Sequence, residues 1–329
     1  MIQPSPLQDF EEIEQRLPAQ YFSQGIFTIE EDGLPLVTRG GSAPGREDEL
    51  AVVFRDGPMI AHYFHFMELL IGCHLLCERY FSTKKVKSIY FGMQPWNNLK
   101  QNEVQQKLLS TIYPGAEVYD KNRTPESSQI ANVLVIDRSS ARKLTTINKF
   151  LDPFLQMEWS AGATLRERVL SMIAPVTKPD GGRKRAGYVL RNPPRTLSES
   201  LENTIISLVS ETYELVKLDF ASMSWAEQVR SVRDLDLLFG VHGNGLTNVC
   251  WMKPGAKVIE FFPPGVHHYD YQVFCEIFGL NYFGIEGKST GGFIFRDWTR
   301  DGPAYGEHPI VNAPVSELPA VRIHSFLNW

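Results

Sequence analysis

The sequence lacks three features: a surplus of basic residues, a CxxC pair or other metal-ligand spacing of its cysteines, and a long apolar run. Its 329 residues hold 33 Lys and Arg against 38 Asp and Glu, for a formal net charge of −5. Without a basic surplus to neutralise a phosphate backbone, the chain is not expected to bind nucleic acid. Its four cysteines show no metal-ligand spacing, so no metal site is expected.

Segments for targeting or membrane insertion are also not seen in this sequence. No stretch of about 18 apolar residues occurs, so no membrane span is expected. The first 20 residues are acidic and have no apolar core of the kind that a signal peptide needs. One glycosylation acceptor, Asn122-Arg-Thr124, favours the secretory lumen, while a cytoplasmic location stays open.

The length and the alternation of strand and helix patterns predict two α/β domains. At about 150 residues per domain, a chain of 329 residues suggests two domains. Short Val- and Leu-rich runs such as Leu50–Phe54 and Leu237–Val241 alternate with helical patterns such as His62–Phe81, which is typical of βαβ units and parallel sheets. We therefore expect two Rossmann-like domains that face each other across a crevice.

A segment rich in Pro, Gly and charge, Pro175–Lys184, is the best candidate for the connection between the domains. It divides the chain into an acceptor-side domain, residues 1–176, and a donor-binding domain, residues 177–329. After Pro264 the periodic pattern weakens, so irregular chain is expected there, with the last segment packing back on the first domain.

The most informative loop of the second half carries two arginines. A strand is expected to end at Leu190, and a Pro-stiffened loop then presents Arg191 and Arg195. The next residues, Thr196-Leu-Ser-Glu199, match a capping box, so a helix is expected to open there. Guanidinium groups beside a helix N-terminus suit phosphate oxygens. The alternative is a solvated basic loop whose arginines pair with nearby acids.

A Gly-rich turn follows a second predicted strand, which ends at Val241. In the run His242-Gly-Asn-Gly-Leu-Thr-Asn248, the two glycines, Gly243 and Gly245, allow a tight turn and a close approach to a ligand. A strand, a Gly-rich turn and a helix N-terminus together commonly cradle phosphate. His242 is a candidate to donate a hydrogen bond to phosphate. The candidates to hold sugar hydroxyls or phosphate are Asn244, Thr247 and Asn248.

The third element is an acidic residue inside an apolar strand. Glu260 lies within the predicted strand Lys257–Phe262. At the edge of the crevice its carboxylate would accept hydrogen bonds from ribose hydroxyls. Inside the sheet it would instead be a charge paired with a neighbour.

These runs resemble glycosyltransferase family 61, which includes protein O-linked N-acetylglucosaminyltransferases and plant β-1,2-xylosyltransferases. The resemblance rests on the segments HGNGLTN (His242–Asn248), WMKPGAKVIEFFPPG (Trp251–Gly265) and RNPPRTL (Arg191–Leu197). It is strongest over Gly187–Tyr282 and thinner at His62–Leu70. The family motif usually reads HGAGLTN, so Asn244 stands where an alanine is usual and adds a polar group near the ligand.

The resemblance implies a GT-B fold and an inverting transfer that needs no metal or other cofactor. The donor would be a UDP-sugar, with xylose or N-acetylglucosamine as the sugar, and the acceptor a hydroxyl of a glycan or glycoprotein. It also implies residence in the Golgi or the endoplasmic reticulum lumen. With the rest of the turn, the candidate donor-binding residues are Arg191, Arg195, His242, Gly243, Asn244, Gly245, Leu246, Thr247, Asn248 and Glu260.

An inverting transfer also needs a general base, which is expected from the first domain. His62, His65 and Glu68 stand at the start of the first long helix, and the i, i+3 spacing puts His65 and Glu68 on one face. Family members often show a His and an Asp three or four residues apart at this place. We expect Glu68 to be the base and His65 to orient a substrate; the alternative is that both pack inside the domain.

Two other interpretations compete with this one. A non-catalytic nucleotide-sugar binding protein would keep the donor loops and lose the base. A dinucleotide-dependent oxidoreductase is disfavoured, because no GxGxxG follows the first strand. Asp234-Leu-Asp236 resembles the DxD metal signature of other glycosyltransferases, but its place at a helix end before a buried strand is typical of capping or solvated acids.

Overall fold

Strands and helices alternate along the chain and build two separate sheets in a computed structural model. The chain divides into two compact units, Met1–Val169 and Leu170–Trp329. The structure describes residues 27–31, 34–40, 48–54, 62–91, 99–119, 132–136, 155–173, 182–193, 195–263, 270–287 and 315. The Asn122 sequon, the middle of the predicted connection and the segment from Pro264 to residue 269 lie outside these ranges.

Six strands and three helices lie in the described residues of the first unit. Its strands are β1 (Phe27–Glu31), β2 (Leu34–Gly40), β3 (Glu49–Phe54), β4 (Lys85–Phe91), β5 (Glu117–Tyr119) and β6 (Asn132–Ile136). Its helices are α1 (Tyr63–Tyr80), α2 (Leu99–Ile112) and α3 (Leu155–Ser171).

The first sheet is mixed, with the order β1-β2-β6-β3-β4-β5. Strands β6, β3, β4 and β5 run parallel, while β1 and β2 form an antiparallel hairpin against β6. Across the sheet, the parallel strands stand in the order β6-β3-β4-β5. The chain adds β4 and β5 on one side of β3 and then places β6 on the other side, so the strand order reverses between β3 and β6. In open α/β sheets, ligands bind outside the carboxyl ends of the strands at such a reversal.

In the second unit, the part that the structure describes has five strands, three α-helices and one 3-10 helix. Its strands are β7 (Arg185–Val189), β8 (Glu214–Leu218), β9 (Leu237–Val241), β10 (Lys257–Phe262) and β11 (Asn281–Glu286). Its α-helices are α4 (Glu199–Thr212), α5 (Trp225–Val232) and α6 (Asp270–Ile277), and the 3-10 helix spans Asn244–Trp251.

The second sheet is parallel throughout, with the order β11-β10-β9-β7-β8. All five residues of β9 are buried, so both faces of the sheet are covered at its centre. The order reverses between β7 and β9. The loops that follow these two strands carry Arg191 and His242, so the two elements singled out in the sequence meet at the reversal point.

The structure confirms the predicted α/β class with parallel sheets and corrects the sequence reading after Pro264. That region was expected to be irregular, yet α6 and β11 lie there, and β11 pairs along its length with β10. The strand pattern is weak because β11 is the edge strand: only Ile285 of its six residues is buried. An edge strand has one neighbour, so it needs fewer apolar residues than a central strand.

The predicted capping box at Thr196 is wrong. Helix α4 begins at Glu199 with Ser198 as its N-cap, and no side chain caps it. Instead, the preceding residues form a bridge with Val315: its N–H donates to the carbonyl of Thr196 at 2.8 Å, and its carbonyl accepts from the N–H of Ser198 at 2.9 Å. This pairing holds the backbone extended, which prevents the helix from starting earlier.

Helix α5 carries a complete capping box. Ser224 accepts a hydrogen bond from the N–H of Glu227, and the Glu227 carboxylate accepts from the N–H of Ser224 at 2.7 Å. Within the part of the chain that the structure describes, no helix is both long enough and apolar enough to cross a membrane.

Candidate functional site

The arginine loop and the Gly-rich turn are joined by a direct hydrogen bond. Nη1 of Arg191 donates to the backbone carbonyl of His242, the first residue after β9. Arg191 and Arg195 are half-buried, so neither residue is fully enclosed. Two cationic groups therefore stand at the carboxyl edge of β7 and β9, where forked N–H donors suit phosphate oxygens.

Two glycines allow neighbouring groups at this edge to approach each other closely. A β-carbon at position 243 would collide with the guanidinium of Arg191, which lies directly over Gly243. Inside β9, a β-carbon at position 240 would come within 2.9 Å of Cβ of Val189 on β7. Gly240 therefore permits the close approach of the strands, and Gly243 permits the arginine to lie across the turn.

The remaining residues of the turn divide into ligand-accessible and buried groups. Gly243, Asn244 and Gly245 are half-buried, and Leu246 N–H bonds back to the carbonyl of Gly243 at 2.9 Å. The side chains of Leu246, Thr247 and Asn248 are fully buried. These three were candidates for donor contact, and the structure places them beneath the turn rather than on its surface.

The buried polar residues of the turn hold it in place. Thr247 donates to Oδ1 of Asn244 at 3.3 Å, which orients the one exposed amide of the turn. Asn248 donates both to the carbonyl of Gly245 and to Oε1 of Gln228, each at 3.1 Å. The amide of Gln228 in turn donates to the carbonyl of Phe220 at 2.9 Å, so α5 ties the β8–α5 loop to the turn.

Glu260 lies inside the sheet, and both of its carboxylate oxygens have partners. Oε1 bonds to Nδ1 of His242, and Oε2 accepts from the hydroxyl of Tyr282 at 2.6 Å. The side chain of Glu260 has no exposed surface, so it matches the paired charge that the sequence allowed and does not lie where ribose hydroxyls would meet it. Tyr282 was missed by the sequence reasoning, and only the sheet register brings it to Glu260.

The imidazole of His242 is enclosed on several sides. It stacks on Phe262 at a centroid distance of 5.5 Å and tilts against Tyr271 of α6 at the same distance. Burial lowers the pKa of His242 to about 4; the charge of Asp270 opposes that shift, and the charges of Arg191 and Arg195 add to it. At neutral pH the ring is therefore uncharged.

The candidate base in the first unit is also a carboxylate–imidazole pair. His65 and Glu68 lie in the first two turns of α1, with Nδ1 of His65 at 3.7 Å from Oε2 of Glu68. The side chain of His65 is 17% exposed and that of Glu68 only 2%. The ring of His62 lies at 5.0 Å from that of His65 and is exposed. Of the two side chains, the imidazole is therefore the more exposed.

The DxD-like pair lies at the opposite edge of the second sheet. Asp236 precedes β9, where its carboxylate accepts from the N–H of Arg185 at 2.8 Å and forms an ion pair with Lys253. These contacts lie at the amino ends of the strands, one strand length away from His242. These contacts give Asp236 a structural role, because they join the first residue of β7 to the segment that precedes β9.

A family model for glycosyltransferase 61 matches residues 49–259, more than half of the chain. The chain therefore belongs to glycosyltransferase family 61, and it is an enzyme that transfers a sugar from a donor to an acceptor. The match confirms the resemblance seen in the sequence and extends it well into the first unit. No curated protein matches the chain.

Two solved structures show a distant similarity. The bacterial iron-containing dodecameric glycosyltransferase TibC from enterotoxigenic E. coli H10407 is 11% identical, with a TM-score of 0.41 over 94% of this chain and 85% of that chain. The glycotransferase of kitacinnamycin is 10% identical, with a TM-score of 0.23 over 74% of this chain and 87% of that chain.

Proposed function

We propose that the protein is an inverting glycosyltransferase that takes its sugar, xylose or N-acetylglucosamine, from a UDP-sugar without the help of a metal. The observation that carries the proposal is the meeting of the arginine loop and the Gly-rich turn at the point where the strand order of the second sheet reverses. The acceptor is a hydroxyl of a glycan or glycoprotein.

The leaving diphosphate is assigned to Arg191, Arg195 and the exposed backbone of Gly243–Gly245. Two guanidiniums and the N–H groups at the start of the 3-10 helix supply the positive charge that a departing diphosphate requires. Asn244 is the ligand-facing side chain of the turn, because Thr247 fixes it from below. Leu246, Thr247 and Asn248 support the turn from inside.

The general base is assigned to His65, with Glu68 as the residue that positions it. This reverses the roles expected from the sequence, because Glu68 is buried behind the imidazole. A carboxylate behind a histidine orients the ring and stabilises the cation that forms when the ring takes up a proton. The imidazole then removes the proton from the acceptor hydroxyl as that oxygen attacks the anomeric carbon and the diphosphate leaves.

Three finer features accompany the proposal. A GT-B layout would let the first unit supply the acceptor site and the second unit the donor site. Metal independence is supported by the two arginines at the donor edge and by the engagement of Asp236 at the far edge. Residence in the Golgi or endoplasmic reticulum lumen is part of the proposal, supported by the family resemblance and by the sequon at Asn122.

Calorimetric titration with UDP in the presence of EDTA tests the donor site. We expect wild-type protein to bind UDP and the Arg191→Ala/Arg195→Ala variant to lose at least about a hundredfold in affinity, since each lost charge-assisted hydrogen bond costs roughly 1.5–3 kcal/mol. The matched control is Arg183→Ala/Arg230→Ala, which removes the same charge from arginines that do not reach this edge.

An equal loss in both double variants would mean that only net charge matters, and the assigned site would be wrong. Binding of UDP that appears only after a divalent ion is added would overturn the metal-independent mechanism.

A further inference from the structure

A single residue from a distant part of the chain pairs with the end of the arginine loop. Val315 forms a parallel bridge with Leu197. Its N–H donates to the carbonyl of Thr196 at 2.8 Å, and its carbonyl accepts from the N–H of Ser198 at 2.9 Å. Both bonds lie directly after Arg195, the second arginine of the proposed donor site.

The side chain of Val315 is fixed as firmly as its backbone. It is fully buried and belongs to the core cluster that also contains Leu197, Tyr188 of β7 and Ile205 of α4. Withdrawal of Val315 would expose apolar surface to water, so the hydrophobic effect holds the bridge closed in addition to its two hydrogen bonds.

The arginine loop is therefore held at both of its ends. At its start, Nη1 of Arg191 donates to the carbonyl of His242. At its end, Thr196 and Ser198 pair with Val315. Two prolines stand between these ends in the sequence and restrict the backbone further. A loop that is ordered before its ligand arrives loses less conformational entropy on binding.

Arg195 lies inside this loop, one residue before the bridge. Burial lowers the pKa of His242 most, and the charges of Arg191 and Arg195 lower it further, so both arginines lie near the same residue of the Gly-rich turn. The side chain of arginine is long and flexible, so the place of its guanidinium depends on the backbone from which it starts.

Resting on the proposed donor site, we infer that Val315 is a positioning residue for Arg195: its pairing with Thr196 and Ser198 orders the arginine loop before the diphosphate of the sugar nucleotide binds. Because Val315 is fully buried, it acts on the ligand through the loop and not by contact.

The bridge can be tested without any ligand by amide hydrogen exchange. Val315→Pro removes the N–H that donates to Thr196. We expect the amide of Ser198 to exchange slowly in wild-type protein and at least about tenfold faster in this variant. The amide of Leu190, which donates to the carbonyl of Leu218, is the control and should keep its rate. Unprotected exchange at Ser198 in wild-type protein would overturn the inference.

The effect on the ligand is measured by calorimetric titration with UDP in EDTA. Val315→Pro should weaken binding about tenfold, which corresponds to ordering one backbone residue anew. Val315→Ile keeps the N–H and a buried apolar side chain, so it should bind within about twofold of wild type. Unchanged affinity in folded Val315→Pro would contradict the inference.

A matched pair of variants separates positioning from stability, and it also decides the case if Val315→Pro does not fold. Val315→Ala and Val209→Ala remove the same atoms from the same buried cluster, but Val209 lies in α4 and does not pair with the loop. Both should lower the free energy of unfolding, while only Val315→Ala should weaken UDP binding. An equal loss of affinity in both would mean that binding follows stability alone, and the inference would fall.

A double-mutant cycle asks whether Val315 acts through Arg195. In the Arg195→Ala background, Val315→Pro or Val315→Ala should cause no further loss of UDP affinity, because the side chain being positioned is gone. A full additional loss in that background would overturn the inference and leave the donor site in place. Failure of wild-type protein to bind UDP would instead sink the proposed function, while the exchange result at Ser198 would still report on the bridge.

Discussion

Each unit carries a carboxylate–imidazole pair, and the two pairs differ in how they are built. His65 and Glu68 are one helical turn apart on α1, at 3.7 Å, with the imidazole 17% exposed. His242 and Glu260 come from neighbouring parallel strands, are hydrogen-bonded and are almost fully buried. The first pair is therefore partly open to solvent, whereas the second is shielded from it.

The difference suits the two pairs to different tasks. In the proposed mechanism His65 takes up a proton in each turnover, so its ring needs a face that the acceptor can reach. The bond between His242 and Glu260 is buried, which suits a pair that holds the Gly-rich turn against β10.

The largest effect is expected when the exposed pair is broken. Replacing His65 by Asn should lower kcat by about 10²–10⁴, the usual contribution of a general base, and leave UDP affinity within about twofold. Glu68→Gln should cost about tenfold, because the imidazole remains. The measurement is UDP release from UDP-xylose or UDP-N-acetylglucosamine with glycopeptides as acceptors. His62→Asn is the control, since it removes the neighbouring exposed ring.

A larger loss of kcat in Glu68→Gln than in His65→Asn would mean that the carboxylate of Glu68 is the base. The contrast drawn between the exposed pair and the buried pair would then fail.

Two glycine variants distinguish the stability of the second sheet from ligand binding at its proposed donor edge. Gly240→Ala should lower the free energy of unfolding by about 2 kcal/mol, because its β-carbon meets Cβ of Val189, which cannot swing aside. Gly243→Ala meets only the flexible end of Arg191, so stability should change by less than about 0.5 kcal/mol while UDP affinity falls about tenfold. Urea titration and calorimetry measure the two quantities.

If Gly243→Ala leaves UDP binding unchanged, the position of Arg191 over the turn is unrelated to the donor. The assignment of this edge to the leaving diphosphate would then lose its main support.

The smallest effect concerns the pH dependence of stability. The folded-state pKa of His242 is lowered, to about 4, so folding favours the neutral ring. Its contribution to stability is therefore complete above the ordinary histidine pKa of about 6.5 and is lost as the pH falls from there toward 4. Between pH 7.5 and 5.0, wild-type protein should lose about 1–2 kcal/mol more than His242→Asn, measured by urea unfolding at each pH. Equal losses would show that folding does not lower the pKa of His242.

Local spacing explains which site residues the sequence could indicate. His65 and Glu68 share a helix face by their i, i+3 spacing, so the pair is visible in the sequence. The Gly-rich turn and the arginine loop are visible because each is a short local pattern after an apolar strand. The sequence could not tell that Glu68 is buried behind His65, because that depends on packing against the rest of the unit.

Sheet register explains what the sequence missed. Glu260 pairs with Gly240 on β9 and with Gly284 on β11, so alternation along each strand brings His242, Glu260 and Tyr282 to the same face. Two residues separated by 18 positions and two separated by 22 become neighbours in this way. Nothing in the local pattern around Tyr282 distinguishes it from an ordinary strand residue.

The sequence by itself determined the α/β class, the family and the two loops that are proposed to bind the donor, because each of these follows from periodicity or from a contiguous motif. Only the tertiary structure decided which of those residues are buried and which are partly exposed. Burial depends on the packing of distant segments, as when Asn248 meets Gln228 of α5. The surroundings of His242 were decided by register and burial together, since Arg191 comes from the loop after β7 and Glu260 comes from β10.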